Sequence, residues 1–423
     1  MNIGPIQIES KQRGRSNRLK EAVLASFHEP APSVRARLAE FTRQDWERSK
    51  YWLDVSGLAL YFLDRLIALE LELCIPTSML QQLRINMAEN RERSASLFNE
   101  TVAVTQLLQR QKIEFAVLKG ITLPAESVPE VALRNQMDLD LLVRESDAAQ
   151  TKCCLEEHGY KLDAISGNTW EFKAGTSGMS TLANLYQVRA ERSIEVHLIA
   201  EAKGAADRLT RSGHTIIEGE QVPALLPSDA LVFQGQHLFK HMCGEHTRAS
   251  WVLEYWRHIS ARRNDVAFWR EVAAIAAEEP GADIAIGAAT LLTSLVFGPC
   301  APQELARLSM DRLRPVICLW IQLYGRDLVL SDKPGSKLYL LLRKELHEDS
   351  VEDQLARRRL IFPLHWPRLI TRGQNNETIA RRLHRYQVQS RFALRRFWFH
   401  LAKGLAFAFE SFRWQKRVTG ISQ

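Results

Sequence analysis

The spacing of apolar positions changes along the chain, and the changes divide it. Over residues 32–111 the spacing is three and four: Leu58, Phe62, Leu66, Leu69 and Leu73 form one series, and Leu97, Val102, Leu107 and Leu108 another. That periodicity predicts amphipathic helices. Pro76-Thr77-Ser78 separates two of them, with Thr77 or Ser78 placed to cap the second. Phe115-Ala116-Val117-Leu118 is a short apolar run ended by Lys119-Gly120, the pattern of a buried strand entering a turn. Residues 137–143 (MDLDLLV) predict a second strand, and 193–198 (SIEVHL) a third with clean alternation. Between these, 146–158 reads as a helix closed by Gly159, where a C′ glycine belongs. Helical spacing returns after Pro227 through Leu231, Phe233, Leu238 and Phe239, and again over 251–259, 266–277 and 284–297. A last long helix is expected over 391–414.

The pattern predicts an α+β fold, mostly helical, with a small mixed β-sheet flanked by N-terminal and C-terminal helical regions. Five segments follow. Residues 1–30 read as a loose basic leader, 31–111 as a helical region, 112–225 as the α/β core, 226–354 as a second helical region, and 355–423 as a basic, aromatic helical tail.

Composition narrows the class. Of 423 residues, 46% are hydrophobic and 25% charged, which excludes a disordered or low-complexity body. Six Cys without framework spacing point to a reducing compartment. The longest apolar stretches, such as 286–299, fall short of the ~20 residues a membrane span needs. The basic N-terminus has no apolar segment behind it, so no secretory signal is expected and the location expected is cytoplasmic. The net charge of +7 is unevenly placed. Residues 355–423 hold fifteen Arg or Lys against Glu377 and Glu410, a charge of +13, which leaves −6 for residues 1–354. A localised field of this kind selects partners.

The candidate chemistry lies in the predicted strands. Residues i and i+2 of a strand share a face about 6.6 Å apart, so Asp138 and Asp140 project together while Leu139 and Leu141 line the other side. Two carboxylates on one face repel unless a cation sits between them, and a divalent hard cation such as Mg²⁺ is the natural partner. Glu195 alternates with Ile194 and Val196, so it shares a polar face with His197. Three acids on adjacent strands would complete a two-metal clamp for phosphoryl displacement. The bland alternative is a solvent-facing strand with surface acids. Lys119-Gly120 favours the first reading, because Gly lets backbone approach a phosphate and amides opening a following helix attract anions. Thr122 is a candidate cap for that helix, with Pro124 in its first turn.

The string over 118–143 (LKGITLPAESVPEVALRNQMDLDLLV) resembles an uncharacterised bacterial nucleotidyltransferase family of the DNA polymerase β superfamily. That family carries a Leu-Lys-Gly turn, then an Arg before an acidic strand, and an acid two residues before a His, here Glu195 and His197. The likeness covers roughly residues 40–265, with Asn90 and Arg91 in the family's polar patch. It implies a nucleotidyltransferase core over 112–225. Asp138, Asp140 and Glu195 would be catalytic and metal-binding. Lys119, Gly120, Thr122 and Arg134 would be nucleotide-binding. His197, His241 and Glu254 would stand on the acceptor side, Glu254 being equally readable as a salt-bridge acid. Ile121 stands where the wider superfamily usually has a second small residue, and the third acid is Glu where Asp is frequent.

The resemblance implies an enzyme using Mg²⁺, two ions, to transfer NMP from an NTP, most plausibly ATP, to an unidentified small-molecule, glycan or peptide acceptor. Two alternatives stay open: a catalytically inactive binding module of the same fold, and a transferase acting on nucleic acid, the less favoured partner. His237, His241, Cys243 and His246 form a metal-like cluster whose order matches no common zinc site, so packing roles are expected. Three readings remain for the tail helix: packing on the body, lying on an anionic membrane surface at the inner face, or contacting a phosphorylated acceptor or nucleic acid.

Overall fold

The structure, a computed structural model, describes residues 5–175, 182–199, 207–217, 219–346, 351–363 and 378–421. The chain packs as two units, Met1–Lys240 with Thr247–Leu313, and His241–His246 with Arg314–Gln423.

The first unit opens with helices α1 (Pro5–Ala25), α2 (Ala31–Leu38), α3 (Arg43–Val55), α4 (Ala59–Ala68) and α5 (Thr77–Arg110). Strands β1 (Phe115–Leu118) and β2 (Leu139–Arg144), helix α6 (Ala148–Glu157), then β3 (Lys161–Ser166), β4 (Thr169–Ala174), β5 (Arg192–Ile199), β6 (Gly213–Ile217) and β7 (Glu220–Ala224) follow. Helices α7 (Pro227–Met242), α8 (Ala249–Ala261), α9 (Val266–Glu278), α10 (Ala282–Phe297) and α11 (Gln303–Leu308) follow the sheet. The second unit contains α12 (Pro315–Leu330), α13 (Tyr339–Leu346), α14 (Val351–Ile361) and α15 (Ile379–Ile421). The fold is therefore mostly helical with a mixed sheet of seven strands. Among the described residues no helix is long and apolar enough to cross a membrane.

Local chemistry explains several boundaries. Thr42 accepts from the Asp45 amide while Asp45 accepts from the Thr42 amide, a reciprocal cap that starts α3. Gly159 sits at φ +84°, the left-handed conformation that stops α6. Two expectations fail at helix ends. The α4 series stops at Ala68, so Leu73 lies outside the helix and is 97% exposed. Pro76 occupies the N-cap of α5, and neither Thr77 nor Ser78 caps it.

Residues 1–30 are also not a loose leader where described, because α1 forms and buries Leu19, Val23 and Leu24 completely or nearly so. These apolar residues gather at the C-terminal end of a mostly polar segment, so average composition hides them.

The strand order is β3-β4-β5-β2-β1-β7-β6. β2 runs antiparallel to β1 and parallel to β5, with Asp140 registered to Glu195 and Leu142 to His197. Alternation sorts the faces. Leu139, Leu141, Val143, Ile194 and Val196 enter a core shared with Leu107 and Leu108 of α5 and Leu155 of α6. Burying each such side chain contributes about 1.5–3 kcal/mol, which fixes the register. The opposite face presents Ala116, Leu118 and Leu142 toward Phe233 of α7, and here the polar residues collect.

Candidate functional site

Asp140 is the buried centre of this second face, at 3% exposure. Lys119 Nζ donates to its Oδ1 at 2.8 Å, and His197 Nε2 lies 2.9 Å from the same oxygen. Both contacts fall on Oδ1. Thr169, registered to His197 across β4 and β5, places its Oγ1 3.2 Å from Nδ1 and so fixes the ring. Phe233 covers the site, with the His197 ring edge-on to it at 6.5 Å and Lys119 Nζ 5.7 Å from its centre. Glu195 completes the group, its Oε2 3.7 Å from His197 Nε2.

Asp140, Glu195 and His197 offer ligand atoms within 4.8 Å of one another, the one group of three among the described residues that could hold a metal ion. His197, expected on the acceptor side, thus stands among the possible ligands. Asp138 lies outside that tight group and just precedes Leu139, the first residue of the ladder.

Its environment is nonetheless unusual. The Asp138 carboxylate has no hydrogen-bond or ion-pair partner among the described residues. Burial first, then the charges of Asp140 and Glu195, push its pKa up to about 7, although Lys119 and Arg134 pull the other way. Burial also pushes Glu195 up, helped by Asp140. Burial would raise Asp140 too, but the Lys119 charge and the His197 contact outweigh it and hold the carboxyl below its ordinary value. The donor set and its excess of negative charge fit a divalent hard cation.

The turn before Asp140 differs from expectation. No long helix follows Gly120. Residues Gly120–Thr122 make a single 3₁₀ turn, and Thr122 Oγ1 donates to the Lys119 and Val117 carbonyls instead of capping a helix. Helix-terminal amides therefore supply no anion site here. Gly120 has φ +47°, and a Cβ at this position would collide with the Gln136 side chain. Gln136 Nε2 in turn donates to the Asp138 carbonyl at 2.8 Å, so the glycine serves the acidic segment through Gln136.

Beside the acids lies a buried basic network. Arg134 Nε is 3.3 Å from Glu254 of α8, and the Tyr61 hydroxyl donates to the same carboxylate at 2.9 Å. Glu254 is 3% exposed, so it is not a surface salt-bridge acid. Asn90 of α5 donates to the carbonyls of Ala132 and Arg134 at 2.6 and 3.1 Å and holds the segment. Arg91 instead forms an exposed pair with Glu130 at 3.0 Å. Arg248, at the start of α8, was not singled out by any sequence pattern. It lies over Trp251 at 5.3 Å, and its pKa is lowered by burial and by the neighbouring Arg134 charge while Asp138 acts to raise it. No carboxylate pairs with Arg248 among the described residues.

His241 belongs to the second unit, as do Cys243 and His246. His237 belongs to the first and packs edge-on against Trp251 at 4.8 Å. No group of metal ligands forms from these four among the described residues.

No curated protein matches the chain. Among solved structures, it is similar to the crystal structure of an antigenic nucleotidyltransferase-like protein from Paracoccidioides brasiliensis, at 10% identity and a TM-score of 0.27, over 46% of this chain and 92% of that one. A family profile described as "Uncharacterised nucleotidyltransferase" matches residues 42–298, a span that takes in the acidic strands, the basic network and α8. The chain belongs to that nucleotidyltransferase family.

Proposed function

We propose that the protein transfers NMP from an NTP, ATP in the simplest case, to a hydroxyl or phosphate of a small-molecule, glycan or peptide acceptor. The observation that carries this is the unpartnered Asp138 carboxylate, set among two further acids and two arginines. Asp138, Asp140, Glu195 and His197 would hold Mg²⁺. A bound Mg²⁺ would neutralise charge at the reacting phosphate and the departing pyrophosphate. Arg134 and Arg248 would bind the triphosphate, since phosphate favours guanidinium forks. Lys119 would share its charge between Asp140 and a phosphate. The Glu195 carboxylate oxygen that does not hold the ion would take the proton from an acceptor hydroxyl. Thr169 keeps the His197 ring oriented beside Asp140.

The test incubates the chain with each α-labelled NTP, Mg²⁺ and a cell lysate. Transfer of label to a defined molecule, lost in Asp140→Asn, is the expected result. Labelling by Asp140→Asn at the parent rate would overturn the assignment.

A second reading, a nucleotide-binding module without catalysis, draws on one observation. Lys119 and His197 both occupy Oδ1 of Asp140, which is already neutralised. On that reading MgATP raises the unfolding temperature and no label moves.

A further inference from the structure

Helix α15 has two apolar faces, and only one is packed within its unit. On the inner face Trp414 is 1% exposed and donates its Nε1 hydrogen to Glu345 at 3.0 Å. Gly404 lies so near the Phe362 ring that an added Cβ would stand 2.7 Å from it.

The outer face is different. Ile379, Leu383, Leu394, Phe397, Leu405 and Phe412 are each between 57% and 79% exposed. At 3.6 residues per turn they fall within roughly a quarter of the helix circumference, in a stripe about 50 Å long. Exposed Gln387 and Ser390 interrupt the stripe between Leu383 and Leu394. Its unbroken part, Leu394 to Phe412, is about 27 Å long, an apolar run that on a water-facing surface calls for a covering surface.

The border of the stripe says what covers it. Arg391, Arg395 and Lys416 follow along one edge, and none has a carboxylate partner among the described residues. Over its 43 residues α15 carries ten Arg or Lys and one acid, Glu410. That acid is taken by the Tyr324 hydroxyl at 2.8 Å and by Arg417 at 3.0 Å. A second copy of the helix would bring this uncompensated charge against itself. Phe397 and Phe412 in the stripe, with Trp398 and Phe409 beside it, offer rings on which bases could stack, but Ile379, Leu383, Leu394 and Leu405 stand between them and are aliphatic, which a stacked strand does not use. An acyl-chain boundary accepts aliphatic and aromatic side chains alike, and anionic headgroups answer the cationic edge.

We propose that the outer face of α15 docks on an anionic lipid bilayer, with the helix lying in the headgroup plane. The inference concerns this face alone and does not depend on the chemistry at Asp140.

The full chain is sedimented with extruded vesicles of phosphatidylcholine, and with vesicles of phosphatidylcholine and phosphatidylserine in roughly equal parts. Binding to the second and far weaker binding to the first is expected. Each surface cation contributes roughly fivefold, so Arg391→Ala/Arg395→Ala/Lys416→Ala should weaken binding about a hundredfold. Leu394→Ser/Phe397→Ser/Leu405→Ser should weaken it at least as much, with the unfolding temperature unchanged because all three residues are exposed. The proposal fails if serine-containing vesicles leave the parent in solution, or if either triple variant binds as the parent does. It fails equally if light scattering finds a parent dimer that the Ser variant dissolves, or if only single-stranded RNA binds the face.

Discussion

Asp138→Asn should make the metal-free protein more stable and remove its response to Mg²⁺. The substitution preserves shape and removes one charge. The Asp138 carboxyl ionises at about 7 in the fold against an ordinary 3.8, so the native state holds the proton more tightly than the unfolded chain. For an acid shifted this way stability is greatest at low pH and declines as pH rises through 7. At pH 8 the whole penalty is present, on the order of 4 kcal/mol at ~1.4 kcal/mol per tenfold. Asp138 keeps part of its surface in water, so about half of that, ~2 kcal/mol, is the expected gain for Asn. The unfolding temperature should then rise by a few degrees without metal. The parent should gain stability with Mg²⁺ by about 2.7 kcal/mol at a hundred times its dissociation constant, and the variant little. Urea unfolding followed by tryptophan fluorescence, with and without Mg²⁺, measures both effects. A variant no more stable than the parent at pH 8, or one with an undiminished Mg²⁺ response, would refute the reasoning.

Three further outcomes follow from the same geometry. Glu254→Gln keeps an acceptor for the Tyr61 hydroxyl but strips Arg134 of its buried counter-charge, which should cost about 3–5 kcal/mol in urea unfolding. A loss under 1 kcal/mol would show that Arg134 finds charge compensation elsewhere. Glu100, which accepts from the Tyr160 hydroxyl and lies 3.7 Å from Arg192, is pushed by burial up to about 7, with Arg192 opposing. Its penalty grows as pH rises from 4.5 through 7, so Glu100→Gln should be near neutral at pH 4.5 and stabilising by about 2 kcal/mol at pH 8. A pH-independent difference between parent and variant contradicts that. Lys119→Ala should lower metal-free stability by about 1–3 kcal/mol and leave a larger gain on adding Mg²⁺, since Asp140 loses its internal cation. Equal metal-free stability in parent and variant would remove Lys119 from that role.

The strands that carry the site were legible because burial and alternation coincide in them. Phe115–Leu118 announces itself as an apolar run buried on both sides, and the Asp138–Asp140 and Glu195–His197 pairs announce a two-residue period from which two-sided sorting follows. β3, β4, β6 and β7 were not legible. β3 is mostly exposed, β6 leaves its apolar Ile216 exposed, and β7 carries Pro223. Their pairing is dictated by the neighbouring strands, a tertiary effect that single-segment propensity cannot register. At the site, the Asp138–Asp140 spacing was readable, but the coupling of Lys119 to Asp140 and of Gly120 to Gln136 depends on strands meeting in space. Arg248 stands outside every motif. The one hint was its place just ahead of the Trp251–Glu254 segment.

The parallel register of β2 with β5 also bears on how the protein forms. Asp140 and Glu195 are ladder partners, yet α6, β3 and β4 intervene between them along the chain. No local fragment can contain the acidic group. Closing so long a loop is entropically slow, and parallel pairing rewards it only once β5 has inserted between β4 and β2. The divalent-cation binding proposed for these acids should therefore appear late in refolding, after most helical signal has returned. Cation binding would then act as a clock for completion of the sheet, and a chain stalled before β5 insertion would expose Ile194 and Val196 as a sticky, unpaired segment.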